Sequence, residues 1–275
     1  MSLTEIKICN LKFAYPGAKT TLQINQLSLT GKKIGIIGAN GAGKSTLALL
    51  IKGLLRPQQG KILLNQQDIT NFSAADSAQQ IGLVFQNPTE QLFCSNLLAE
   101  VEYGPKLLGW PKEKRKSRAQ KILQAIGLED TGQHPSDLSL LQRRLLATAA
   151  VAVMEPKTII FDEPTNHLDG QNKKKLIELW QKLNAHQQQV IVITHDLTLL
   201  NQFDQIIVLA GGKCLFAGKS AELLKNKAIL KKARLTLPWV SQVATNLGLP
   251  VCLTTEDLLQ AVETQNLHNL DKTFT

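Results

Sequence analysis

A chain of 275 residues with 43% hydrophobic side chains is long enough to bury one large α/β core, or a core with a smaller satellite. No apolar run reaches the roughly 18 residues that a membrane-crossing helix requires. The net charge of +9 admits nucleic acid, anionic lipid or nucleotide as partners, and the cysteines Cys9, Cys94, Cys214 and Cys252 form no C-x-x-C pair, so buried reduced thiols are expected rather than disulfides or a metal site.

Met1-Ser2-Leu3-Thr4-Glu5 lacks the basic-then-apolar layout of a signal peptide, which predicts a protein that is cytosolic or peripheral on the cytosolic side of a membrane. In residues 4–30, Ile6 and Ile8 are followed by Phe13, and Leu22 and Ile24 by Leu27 and Leu29. This period of two predicts strands paired in an antiparallel sheet, with Pro16-Gly17 at the first turn. Tyr15, just before that turn, is either a stacking partner for a purine face or a structural tyrosine. Lys33 to Ile37 reads as a buried strand and Leu47 to Ile51 as a helix packed on its apolar side. Between them lies Gly38-Ala39-Asn40-Gly41-Ala42-Gly43-Lys44-Ser45-Thr46, which fits the phosphate-binding pattern G-x-x-x-x-G-K-S/T. Glycines let the backbone fold into a nest of N–H groups around phosphate oxygens, and the loop ends on a helix N-terminus that favours an anion. Lys44 is placed to reach the β- and γ-phosphates, and the Ser45 hydroxyl to ligate Mg²⁺. The stretch predicts a nucleoside triphosphate site.

Arg56 to Gly60 closes the helix, and Lys61 to Leu64 with Asp68-Ile69 returns to strand character. Ile81 to Phe85 is a further buried strand, ending at Gln86-Asn87-Pro88. Helical patterns then take over in residues 88–155. Ala119, Ile122, Leu123 and Ile126 fall at i, i+3, i+4 and i+7, with Pro111 in the first turn and Gly127 as C-cap. The basic cluster from Lys112 to Lys121 on this helix reads as a solvated face rather than a nucleic-acid patch. Thr158 to Asp162 is a buried strand ending in two acids, Asp162 and Glu163. Leu176, Ile177, Trp180 and Leu183 predict a helix with one apolar face, and Lys173-Lys174-Lys175 its solvated start. Val190 to Ile193 is a strand ending at Thr194-His195-Asp196, and Ile206 to Leu209 with Cys214 to Phe216 a hairpin. Residues 220–275 read as helical and polar, with a basic stretch from Lys225 to Arg234 and a helix N-cap at Thr254-Thr255-Glu256-Asp257.

Strands alternating with helices imply a mostly parallel sheet. The expected class is therefore α/β: a P-loop NTPase core with an antiparallel β subdomain, a helical subdomain inserted at 88–155, and a helical C-terminal extension. The expected division is 1–219 for the nucleotide domain and 220–275 for the extension. In an open α/β sheet, ligands sit at the C-terminal ends of strands, so the tips before the glycine loop, at Asp162-Glu163 and at His195 converge on one nucleotide. Asp162 suits the Mg²⁺-associated acid of an NTPase, and Glu163 is placed to orient or deprotonate the attacking water. His195 suits a bond to the γ-phosphate and Gln86 a contact with Mg²⁺ or the water, though neither residue alone carries that meaning.

This ordered set resembles the ATP-binding subunit of an ABC transporter. Tyr15 falls where that family has its adenine-stacking aromatic, Gly38 to Ser45 is similar to its Walker A motif, and Gln86 to its Q-loop glutamine. Thr158 to Glu163 resembles its Walker B strand with the catalytic glutamate, Leu168-Asp169 its D-loop, and His195 its switch histidine. Phe85-Gln86-Asn87-Pro88-Thr89-Glu90-Gln91-Leu92-Phe93 narrows the likeness to energy-coupling-factor and cobalt-type importers, as do Glu102-Tyr103-Gly104-Pro105, Leu108-Gly109 and the tail from Pro238 to Asp257. The resemblance implies ATP and Mg²⁺ as cofactors, ATP hydrolysis coupled to uptake of a vitamin or transition-metal ion, and attachment to the cytoplasmic face of a membrane. Its implied partners are a second ABC ATPase subunit, a transmembrane coupling subunit and a substrate-binding membrane subunit, with no nucleic acid. Leu92-Phe93 lies either on the groove for the membrane partner or buried in the helical subdomain.

One departure stands out. The family signature Leu-Ser-Gly-Gly-Gln is here Leu138-Ser139-Leu140-Leu141-Gln142. In the family this motif caps the γ-phosphate held by the opposite subunit, and glycine lets the backbone approach closely. Two leucines add bulk, leaving Ser139 as N-cap and hydroxyl donor and Gln142 as a weak contact. The site completed by this signature is expected to be weak or lost, which favours a heterodimer with unequal sites over a homodimer. An ABC ATPase acting on nucleic acid or ribosomes, or a non-hydrolysing ATP binder, are the competing readings.

Overall fold

In the computed structural model, which describes residues 4–18 and 20–273, the N-terminal alternation becomes β1 (Ile6–Phe13) and β2 (Leu22–Leu29). They pair antiparallel, with Ile6 opposite Leu29 and Phe13 opposite Leu22. Ile6, Ile8, Leu22 and Leu29 are fully buried, and each such burial stabilises by about 1.5–3 kcal/mol. β3 (Lys33–Ile37) leads through the glycine loop into α1 (Lys44–Lys52), which ends at Gly53 in the left-handed region. β4 (Gln59–Leu64) and β5 (Gln67–Asp68) complete a four-stranded sheet in the order β2-β1-β4-β5.

The next helix, α2 (Ala74–Gln80), has no counterpart in the sequence expectations. None of its residues is buried, so it shows no apolar period; only the spacing of Ser73 and Asp76, which close a reciprocal capping box, marks it. β6 (Ile81–Val84) follows, then three helices, α3 (Leu97–Leu107), α4 (Lys112–Ala125) and α5 (Leu140–Ala152). These helices pack round their own cluster of Leu97, Val101, Leu123 and Leu146. Pro111 stands at the N-cap of α4 rather than inside its first turn.

β7 (Thr158–Asp162), α6 (Gly170–Ala185), β8 (Gln189–Thr194), β9 (Gln205–Ala210) and β10 (Lys213–Gly218) complete the second sheet. Its order is β10-β9-β3-β8-β7-β6, parallel except for β10 against β9. β7 and β8 are buried at every residue, which explains their unbroken Ile and Val runs. Because β3, β8 and β7 are neighbours, Gly38, His195 and Glu163 emerge side by side at one sheet edge.

After β10 come α7 (Ser220–Lys225), α8 (Lys227–Lys232), α9 (Trp239–Asn246) and α10 (Thr255–Thr273). The basic stretch is thus two short helices broken at Asn226, whose side chain caps α8. Thr254 accepts from the Asp257 amide, as its N-cap role requires. Two expectations need correction. All four cysteines are free, but only Cys252 is buried. Lys173 is not simply solvated, since its Nζ pairs with Asp196 at 2.7 Å.

Candidate nucleotide-binding site

Gly38 to Gly43 turn the chain from the tip of β3 into α1. Gly43 has φ +97°, and a Cβ there would lie 2.6 Å from Leu22 Cδ2; a Cβ on Gly38 would meet the Leu209 carbonyl oxygen at 2.3 Å. Glycine is required at both places. No side chain caps α1 at Gly43 and its first turn contains no acid. The leading N–H groups of the helix therefore face outward as anion donors.

Lys44 is only 6% exposed. Its Nζ donates to the carbonyls of Gly38 at 2.8 Å and Ala39 at 3.3 Å, and pairs with Glu163 Oε1 at 3.4 Å. The other carboxylate oxygen, Oε2, lies 3.0 Å from His195 Nδ1. One buried glutamate thus joins the lysine that opens α1 to a histidine at the neighbouring strand tip. Its backbone has φ +44° and its N–H donates to the Ile193 carbonyl on β8 at 2.9 Å. A non-glycine residue held there stores on the order of 1–3 kcal/mol, a cost that clusters at functional sites.

Asp162 closes β7 and is 9% exposed. Burial pushes its carboxyl pKa up; the Ser45 hydroxyl draws it down, the Glu163 charge raises it again and Lys44 opposes. Among the described residues its Oδ1 is buried without a hydrogen-bond partner. Such an orphaned oxygen costs about 1–3 kcal/mol. With the Ser45 hydroxyl beside it, the donors are hard oxygens, the set that Mg²⁺ takes.

Tyr15 stands at the lip of the loop, its hydroxyl 3.4 Å from Thr46 Oγ1, its ring 40% exposed and edge-on to Phe13. Gln86 is exposed just past β6 and makes no hydrogen bond to this group. The turn that carries it is set by Gln91, which accepts from Phe85 N at 3.1 Å and donates to the Leu83 carbonyl at 3.3 Å. Sequence reasoning gave Gln91 no role of its own; its place in the Phe85–Phe93 stretch, five residues after Gln86, was the signal. It also passed over Glu100, 3% exposed, whose Oε2 accepts from Phe93 N and Cys94 N. Leu92 packs inward, whereas Phe93 is 62% exposed and edge-on to Tyr103 at 4.8 Å.

Ser139 and Gln142 do not join the Lys44–Glu163 group. They open α5 with a reciprocal capping box, Ser139 Oγ accepting from Gln142 N and Gln142 Oε1 from Ser139 N. Of the two leucines expected to obstruct this end, Leu141 is turned into the core beside Val84 and Phe161, and only Leu140 remains half-exposed.

A glycine loop opening a helix at a central parallel strand, with buried acids at a neighbouring tip, defines a P-loop nucleotide-binding protein. The profile of the family described as ABC transporter matches residues 22–166. The energy-coupling factor transporter ATP-binding protein EcfA of Methanocaldococcus jannaschii is 36% identical over 248 residues, 88% of each chain. Among solved structures, cbiO1 of Clostridium perfringens, part of the ABC transporter complex cbiONQ, superposes with a TM-score of 0.73 at 28% identity, over 87% of this chain and 98% of that one. A dimeric bacterial ABC transporter cassette matches with a TM-score of 0.70 at 27% identity, over 78% of this chain and 98% of that one. The chain belongs to the ABC transporter ATP-binding family and is an ATPase of that family.

Proposed function

We propose that this ATPase subunit powers an energy-coupling-factor-type importer of a vitamin or transition-metal ion, working in a dimer with unequal ATP sites. The observation that carries the reading is the buried Lys44–Glu163 pair, with the exposed His195 on the second carboxylate oxygen, set over an uncapped helix N-terminus. The phosphates of ATP enter the loop, and Lys44 exchanges the Gly38 and Ala39 carbonyls for phosphate oxygens. The loop amides of Gly41 to Thr46 hold the chain of phosphates, and Tyr15 offers its ring to the adenine. Glu163, released from Lys44, takes a proton from the attacking water while His195 holds its other oxygen. Ser45, Asp162 and Gln86 would hold Mg²⁺, which neutralises charge on the β- and γ-phosphates when bound.

The energy-coupling-factor relative and the cbiO1 structure support the importer assignment. Among the described residues no helix is long and apolar enough to cross a membrane, which fits a peripheral subunit on the cytoplasmic face. The exposed Phe93–Tyr103 pair supports a contact with a transmembrane coupling subunit, which works with a substrate-binding membrane subunit. We assign residues 1–219 to the ATPase domain, with 88–155 as its helical insertion, and 220–275 to a helical extension.

The altered signature supports a heterodimer. The Walker residues here act opposite a partner's intact signature, while Ser139 and Gln142 serve the partner's ATP poorly. The test compares ATP turnover of the purified homodimer with that of the chain assembled with a glycine-signature ATPase. The heterodimer hydrolyses ATP and the homodimer at a small fraction of that rate; equal rates overturn the unequal-site reading.

A further inference from the structure

A groove of about 1370 Å³ runs along the sheet edge opposite the glycine loop, where β7 and β8 begin. Strands of five and six residues separate it from the nucleotide end, a distance of about 15–20 Å. Small-molecule sites span about 300–1,000 Å³, so its size suits a segment of another macromolecule. Lys32, Arg118, Lys121, Lys157 and Lys182 line it, against one carboxylate, Glu155, which pairs with Arg118. All five cations are exposed. Its apolar floor comes from the half-buried Ile122, Ile126 and Leu179.

Three helices, α4, α5 and α6, end at this groove, at Ala125, Ala152 and Ala185. Their last-turn carbonyls are already engaged, Leu123 by the Leu128 amide, Ala152 by Glu155 and Leu183 by Gln188, so the groove offers an occupant its positive rim and its apolar floor. A bare polyanion satisfies the rim alone. A peptide brings carboxylates for the rim and apolar side chains for the floor. No Phe, Tyr or Trp lines the groove and its one aromatic ring is the exposed imidazole of His186, so it lacks the run of stacking platforms that single-stranded nucleic acid uses.

We propose that this groove docks an acidic amphipathic segment of a partner protein. The segment lies across α4 and α5 on one wall and α6 with the starts of β7 and β8 on the other, pinning the inserted helices to the sheet. This surface shares no residue with the nucleotide site, so it stands or falls independently of the hydrolysis reading.

The test uses the full chain and a fluorescein-labelled helical peptide with Glu on one face and Leu on the other, followed by anisotropy at physiological salt. Polyglutamate of equal charge and single-stranded oligothymidine are the comparison probes. The peptide binds most tightly, and the double variant Lys121→Glu/Lys182→Glu weakens it about tenfold or more, as expected when rim charges are reversed. Leu179→Gln weakens the peptide but leaves polyglutamate unchanged. Circular dichroism shows both variants folded, and their basal ATP turnover equals the parent's. The proposal is overturned if the peptide does not bind, if the charge reversal leaves its affinity unchanged, or if polyglutamate or oligothymidine binds as tightly.

Discussion

Lys44 Nζ lies 3.4 Å from Glu163 Oε1, with each side chain only 6% exposed. In the mechanism proposed above, the cation that phosphates claim is, before they arrive, the partner of the acid that acts on water. On that reading, nucleotide entry and release of Glu163 are one exchange of partners.

Glu163→Gln separates these functions. Loss of a positioned base costs about 10²–10⁴-fold in rate, while the loop that binds the phosphates is untouched. Turnover falls by that order in the assembled dimer, and ATP affinity is retained. Without nucleotide the variant melts below the parent, because Lys44 loses its buried counter-charge; ATP closes the gap. Phosphate release and thermal unfolding with and without ATP measure both. Unchanged turnover at saturating ATP marks a non-hydrolysing binder.

The glycines of the loop are not equivalent. Gly38→Ala drives a Cβ into the Leu209 carbonyl, backbone that cannot step aside, whereas Gly41 has φ +77° but open space around it. Overpacking of this kind costs about 1–3 kcal/mol. Chemical denaturation places Gly38→Ala below Gly41→Ala in stability, and both lose ATP affinity. A reversed order of stability contradicts the packing described for Gly38.

Asp162 predicts a trade between stability and metal response. Its folded pKa is raised above the reference value of 3.8. The ionised carboxyl therefore costs stability above its folded pKa, and the cost vanishes as pH falls from there toward the unfolded value. Asp162→Asn removes it: the nucleotide-free variant melts above the parent near pH 7, and the difference shrinks on acidification. The added stabilisation by Mg²⁺ in the presence of ATP is lost in the same variant. Melting curves over a pH series, with and without Mg²⁺, check both halves.

The two leucines of the altered signature respond differently to glycine. Leu141 is 9% exposed and packs in the core; large-to-small changes at such sites cost about 2–5 kcal/mol. Leu140→Gly is milder and removes the side chain that still stands at the start of α5. Homodimer ATPase rises in Leu140→Gly, while Leu141→Gly mainly lowers the denaturation midpoint. If Leu140→Gly leaves the homodimer rate unchanged, bulk at this position is not what weakens the site.

Much of this was legible from residue pattern. Unbroken runs such as Ile81 to Phe85 and Thr158 to Asp162 announced buried strands, and the glycine loop announced its own strand and helix. What escaped lacked such a period. α2 buries nothing and is held by the Ser73–Asp76 cap. The direction of Leu141 depends on where α5 meets β6 and β7, a tertiary fact. Gln91 and Glu100 act by bonding backbone groups, and polar residues that brace a turn carry no period of their own.

The Glu163 amide is fastened to the Ile193 carbonyl, two residues before His195. Carboxylate and imidazole consequently hang from neighbouring points of one hydrogen-bonded strand pair. A shift of the bend after β8 is therefore felt at both ends of the Glu163–His195 contact, which ties the aim of the proposed base to the backbone of the adjoining strand.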